Sequence, residues 1–164
     1  MSKEKENVVY ETITLEQWQE AVKDIPDLAV QVPTRGVSMF PLLHAHNDSV
    51  KLVPFQRDMI IGDIIMFIRA DGKEVVHRLF WMDEEMVQTI GDNCDRPDAK
   101  IPRSSVVGLV THVCNRGHFI HVDTKFWRFF GRFMIWSNPV RMFIRNKFFY
   151  PVRKAIWKKV KGIK

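Results

Sequence analysis

The chain is poor in the residues that mark several common functional classes. It has only two cysteines among 164 residues, Cys94 and Cys114. They form no CxxC pair, which removes a zinc ribbon and a thioredoxin-like redox motif. A disulfide between them is allowed, but nothing demands one. No apolar stretch approaches the roughly 18–20 residues that a membrane-spanning helix needs. The opening segment Met1-Ser2-Lys3-Glu4-Lys5-Glu6-Asn7 is polar, with no apolar run behind it, so neither a signal peptide nor an N-terminal membrane anchor is expected. These absences predict a cytoplasmic chain with reduced thiols. The eight glycines include no Gly-x-x-x-x-Gly-Lys phosphate loop, and Gly91-Asp92-Asn93 does not supply one. No repeat or low-complexity run is present.

Acidic residues are missing from one end. Residues 125–164 hold 12 of the 25 Lys and Arg residues and none of the 19 Asp and Glu, leaving 13 basic against 19 acidic in residues 1–124. The formal charge of +6 thus conceals an acidic body joined to a strongly cationic tail. The same last 40 positions carry 11 of the 19 aromatic residues. At 46% hydrophobic and 27% charged residues, the whole is globular in composition and long enough for one ordinary core.

The pattern divides the chain into three segments. Residues 1–26 form an N-terminal helical segment. Thr14-Leu15-Glu16-Gln17 fits a capping box, predicting a helix over 15–24 that Pro26 ends. Residues 27–124 read as a mainly antiparallel β domain. Leu28, Val30 and Val32 alternate with polar or small neighbours, and further strands are predicted at 49–53, 62–69, 74–82, 85–90, 105–114 and 118–122. Ala70-Asp71-Gly72-Lys73 and Asn115-Arg116-Gly117 read as hairpin turns. Residues 125–164 read as two or three short amphipathic helices. Phe126, Phe129, Phe130 and Phe133 share one face and Arg128 and Arg132 another, and Ser137-Asn138-Pro139 is expected to stop one helix and start the next. Pro151 restarts a third.

Chemistry concentrates in three places. Gly36-Val37-Ser38-Met39-Phe40-Pro41 presents a serine among small and apolar neighbours. Val75-Val76-His77-Arg78 places a histidine mid-strand. Gly91-Asp92-Asn93-Cys94-Asp95-Arg96-Pro97-Asp98 is rich in carboxylates. A serine hydroxyl is a weak nucleophile until a neighbouring base takes its proton. Histidine, with an ordinary pKa of about 6.5, is mostly neutral at pH 7 and suits that task. A carboxylate on its other nitrogen fixes the tautomer; Asp92, Asp95 and Asp98 all compete for the role. The backbone N–H of Ser38 is a candidate oxyanion donor, and Gly36 leaves room for substrate to approach. Lys73 is an alternative base but sits in a predicted turn, and Asp63 is expected to shape a turn. His44-Ala45-His46 with Asp48 is a weak candidate for metal, since paired histidines in a polar loop usually face solvent. No cofactor or metal is called for.

These segments, with Gly62-Asp63-Ile64-Ile65-Met66-Phe67 and Val107-Gly108-Leu109-Val110, resemble in order and spacing the signal peptidase I superfamily, which includes the LexA-like self-cleaving repressor proteases. The resemblance covers roughly residues 30–113. It implies a mostly β fold and peptide-bond hydrolysis with Ser38 as nucleophile. Where bacterial signal peptidases carry a lysine base this chain has His77, which is similar to the endoplasmic-reticulum and archaeal branch. In that branch an aspartate seven residues after the glycine of Gly-Asp-Asn is implicated, and the spacing lands on Asp98. The expected substrate is a leader or precursor peptide. Neither the superfamily's usual N-terminal anchor nor the Ala-Gly or Cys-Gly self-cleavage linker of the repressors is expected from these residues. The alternatives are a non-catalytic binding module on the same fold and a DNA-bound regulator, the latter weakened by an N-terminal region too short for a helix-turn-helix.

The tail admits three readings. Its aromatics enter an anionic membrane surface, through residues 126–161, while its cations meet headgroups; it binds nucleic acid; or its aromatics pack on the β domain and its charges face water. The first is favoured, because the aromatics exceed what a small extra core layer needs, and nucleic acid is least favoured. The chain is accordingly expected to be cytoplasmic and peripheral at the inner face of the membrane.

Overall fold

The computed structural model describes residues 14–44 and 48–149. It is mainly β, a curled antiparallel half-barrel sheet with a helix at the C-terminal end. Helix α1 (Leu15–Asp24) starts at the capping box read from the sequence: Thr14 Oγ1 accepts from the Gln17 N–H at 3.2 Å, and Gln17 Oε1 accepts from the Thr14 N–H at 2.7 Å. Its Trp18 is 1% exposed and donates Nε1–H to the Leu28 carbonyl at 2.9 Å. With Leu15 and Val22 packed on the same core, this side chain ties α1 to the sheet, and truncating a buried tryptophan costs about 3–5 kcal/mol.

The strands are β1 (Val30–Pro33), β2 (Ser49–Val53), β3 (Ile64–Ile68), β4 (Glu74–Met82), β5 (Met86–Ile90), β6 (Ile101–Pro102), β7 (Val106–Asn115) and β8 (His118–His121). They lie in the order β1-β2-β7-β3-β4-β5-β6, with β8 also on β7. Every pairing is antiparallel. The two-residue β6 is the strand the sequence did not announce. Both expected turns form, with Gly72 at φ 77° in one and Arg116 and Gly117 at 50° and 85° in the other.

Strand β3, the apolar run Ile64-Ile65-Met66-Phe67-Ile68, is central and buried on both faces, as an uninterrupted apolar strand should be. Its alternation feeds two cores. Ile64 and Met66 join Trp18, Met39, Leu42, Leu43, Val50 and Val113 on one side. Ile65 joins Met59, Leu79, Val87 and Leu109 on the other.

The tail departs from expectation. A single helix, α2 (Lys125–Ile144), runs through Pro139 and continues as a π-helical turn at Arg145–Phe149. An internal proline costs a helix about 3 kcal/mol, yet contacts on both sides of it hold the helix to the body. Met134, Ser137, Asn138 and Met142 are all buried, and Asn138 Nδ2–H donates to the Cys94 carbonyl at 3.1 Å. Burial across the expected break therefore outweighs the local stop signal. The helix expected from Pro151 lies outside the described residues.

α2 reaches the sheet through two glycines and one arginine. A Cβ on Gly131 would lie 2.5 Å from the Gly62 carbonyl oxygen and 2.6 Å from Arg78 Nη1, so only glycine fits this crossing. Arg78 is 1% exposed. It donates Nη1–H to the Gly62 carbonyl, and Nε–H and Nη2–H to the two oxygens of Asp92, each at 2.8 Å. Removing one member of a buried pair leaves the other charged and unsolvated, which costs about 3–5 kcal/mol. Urea unfolding of Asp92→Ala is expected to show a loss of that size; a loss below about 1 kcal/mol, the range of exposed pairs, would contradict the burial described here.

Candidate active site

Ser38 is positioned by the residues on its C-terminal side. Met39, Leu42 and Leu43 are 3%, 8% and 3% exposed and plunge into the first core, so the turn containing Ser38 is fixed from below. Ser38 is half-buried at its rim. Gly36 has φ 87°, a left-handed conformation that favours glycine. The Phe40–Pro41 peptide is cis. Among the described residues the Ser38 N–H has no hydrogen-bond acceptor.

His77 stands on β4 opposite Ile65 of β3 and is 4% exposed. Its Nδ1 lies 2.6 Å from Asp98 Oδ2. The same carboxylate oxygen accepts from Thr89 Oγ1–H at 2.7 Å, and Oδ1 accepts from Arg69 Nη2–H at 2.8 Å. Backbone bonds seat Asp98 on β5: its N–H donates to the Thr89 carbonyl at 2.8 Å, and its carbonyl accepts from Gln88 Nε2–H at 2.9 Å. Burial alone would raise the Asp98 carboxyl. The hydrogen bond and charge of His77, with bonds from Thr89 and Arg69, outweigh it and hold the carboxyl at about 2. Asp98 is therefore an acceptor at all ordinary pH, which fixes the neutral imidazole with its proton on Nδ1 and its lone pair on Nε2.

Nε2 is turned toward the Ser38 segment. A Cβ on Gly91 would lie 2.8 Å from the Ser38 carbonyl oxygen, 3.0 Å from His77 Nε2 and 2.7 Å from Cys94 Sγ. Serine turn and histidine ring thus meet over a glycine that has no room for a side chain. No hydrogen bond joins Ser38 Oγ to His77 among the described residues. Contacts of this kind are often long before substrate binds.

The three candidate aspartates sort cleanly. Asp98 takes His77. Asp92 takes Arg78, and Asp95 pairs with Arg145. Lys73 is highly exposed and paired to Asp71 at 3.0 Å, whereas His77 is buried and held by Asp98. Asp63 shapes its turn as expected, accepting from the Ile60 N–H at 2.8 Å, and also holds Arg57 at 2.8 and 2.9 Å. His44 sits beside Asp48, which caps the loop by accepting from the backbone N–H of His44 at 2.6 Å and of Arg116 at 3.2 Å; His46 lies outside the described residues. Among the described residues no three His, Cys, Asp or Glu side chains converge as metal ligands. Cys94 lines the site, but burial and Asp98 push its thiol upward, so it stays protonated and is a poor rival nucleophile.

Several working residues gave no warning. Thr89 looks like any β-branched strand residue, and Arg69 like a solubilising residue at a hairpin. Asn93 clamps the serine turn, its N–H donating to the Ser38 carbonyl at 2.7 Å and its Nδ2–H to the Val37 carbonyl at 3.1 Å. Arg141 and Arg145 reach the same loop from α2, Arg141 Nη1–H to the Asp92 carbonyl at 2.8 Å and Arg145 Nη1–H to Asn93 Oδ1 at 2.7 Å. Burial lowers the Arg141 guanidinium, and Arg78 and Arg145 add to this against the pull of Asp92.

Ser38, His77, Cys94 and Asp98 line a cleft of about 990 Å³. One wall is β1 (Val30–Pro33), and another is Glu74–His77 of β4. β1 pairs only with β2, and β4 meets β5 only from Arg78 onward. Two strand edges without partners among the described residues therefore border the cleft.

Because the Asp98 carboxyl is depressed in the folded chain, its contribution to stability is complete above the unfolded value of 3.8 and disappears as pH falls through about 2. Wild type is expected to exceed Asp98→Asn by about 2 kcal/mol near pH 5, the gap closing toward pH 2. A gap independent of pH in urea titrations would show that the carboxylate is not held as described.

The chain matches no family model, and it matches no curated protein.

Proposed function

We propose that the chain is a serine endopeptidase on a signal peptidase-type fold, with Ser38 as nucleophile, His77 as general base and Asp98 as the residue that orients the base. The observation carrying this reading is the 2.6 Å contact between His77 Nδ1 and Asp98, with the opposite nitrogen turned toward the Ser38 turn in one cleft. Five ordered sequence motifs support the fold assignment, since they lie on the turn of Ser38, on the adjacent strands β3, β4 and β7, and on the loop after β5.

In the proposed reaction Ser38 Oγ attacks a peptide carbonyl and its proton passes to His77 Nε2. The carbonyl oxygen becomes an oxyanion facing the Ser38 N–H. The C–N bond then breaks, and the imidazolium returns the proton to the leaving amine. Water attacks the serine ester through the same base and frees the acid. An extended leader or precursor peptide suits the cleft, because a strand-like chain satisfies unpaired backbone groups on β1 and β4. No described helix is long and apolar enough to cross a membrane; peripheral attachment at the inner face of an anionic membrane is part of the proposal.

One observation favours a second reading. Ser38 Oγ and His77 share no hydrogen bond, as a peptide-binding module with a disused site would have it. Cleavage of a mixture of unstructured peptides distinguishes the two. Ser38→Ala and His77→Ala are each expected to lower kcat by about 10⁴-fold or more with little change in KM. Peptide binding without cleavage, or cleavage undiminished in Ser38→Ala, would sink the peptidase reading.

A further inference from the structure

α2 is oriented opposite to what an ordinary amphipathic helix would show. Its arginines reach back to the body, and although Trp127 packs on the first core, most of its large apolar side chains face away. Phe126, Phe129, Phe133, Trp136, Val140 and Phe143 are 66%, 72%, 47%, 77%, 61% and 60% exposed. They recur at spacings of three and four, which lines them up as one ridge along a helix of 20 residues, about 30 Å in length. An exposed apolar surface of this extent marks a contact with something else.

We propose that this ridge is a docking surface for an anionic lipid bilayer, and that α2 thereby holds the active-site loop against the membrane. Three features select that occupant. Residues 125–149 carry six Lys and Arg and no acid, and residues 150–164 add six more with none. Exposed Lys125 and Lys147 stand beside the ridge with no acid on the helix to offset them, so a negatively charged surface is the complementary partner. The ridge is convex and nearly all aromatic, without the concave pocket that a folded partner's anchor residues fill. Tryptophan and phenylalanine beside lysine are the side chains that settle at the headgroup boundary, and exposed Lys125 and Lys147 flank the ridge.

The opposite face of α2 gives docking its consequence. Asn138, Arg141 and Arg145 hold the backbone of Asp92, Asn93 and Cys94, and Asn93 holds Ser38. One layer of hydrogen bonds therefore separates the lipid-facing helix from the serine turn. This rests on the peripheral attachment proposed above, but not on Ser38 being a nucleophile.

Flotation of the full chain with phosphatidylcholine vesicles, with and without phosphatidylglycerol, tests the surface independently of activity. Wild type is expected to float with the anionic vesicles at low salt. Phe129→Ser with Trp136→Ser is expected to reduce bound protein about tenfold or more while circular dichroism is unchanged. Trp136→Ser alone, at a site with almost no packing to lose, serves if the double variant does not fold. The proposal is overturned if wild type stays unbound, or if the variants float as well as wild type, which would assign binding to residues 150–164. Self-association without vesicles that the variants abolish would overturn it too, as would retention of a single-stranded oligonucleotide in place of vesicles.

Discussion

A buried guanidinium has few places to be. Arg78 is almost wholly out of water, and its charge is tolerable only because Asp92 meets it with two parallel bonds while the Gly62 carbonyl takes a third donor. Arg78 itself stands on β4, and its partners come from the loop after β5 and from the turn before β3. The Gly62–Gly131 crossing brings α2 down onto the same spot. Four parts of the chain are thus registered by one ion pair whose alternatives are all costly.

The period of a β-strand turns that constraint into a site. Neighbouring residues on β4 face opposite ways, so Arg78 directed at α2 leaves His77 directed at the cleft. The loop after β5 is then used residue by residue. Gly91 supplies space between the histidine ring and the serine turn, Asp92 holds Arg78, and Asn93 grips the carbonyls of Val37 and Ser38. Seven residues past Gly91, Asp98 returns to β5 to meet His77. Misplacing reacting groups by an ångström is expensive in rate, and here the proposed base is set by packed strands and the proposed nucleophile by a turn nailed into the core.

Much of this is readable from sequence because its causes are local. The capping box at Thr14–Gln17 and the alternation of β4 involve residues within a few positions of one another. Motif order picks out Gly62, Ser38, His77 and Asp98, and the ring–carboxylate contact joins two of them. The unreadable part depends on partners distant in the chain. Asp92, Asp95 and Asp98 are chemically equivalent along the sequence; only the fold gives each a different cation. The run through Pro139 is hidden because the local stop signal is real and is outweighed by burial of Ser137, Asn138 and Met142. The direction of α2 is hidden for a similar reason: a sequence stripe shows that two faces differ, not which one meets the protein, and the acidic and carbonyl groups that draw Arg141 and Arg145 inward lie some 50 positions earlier.

Reaction with a fluorophosphonate, together with mapping of the adduct, tests nucleophile and base at once. The geometry predicts an adduct on Ser38 that disappears in His77→Ala while the fold is retained. Absence of any adduct, an adduct on Cys94 or another residue, or labelling of Ser38 that is unchanged in His77→Ala would contradict it.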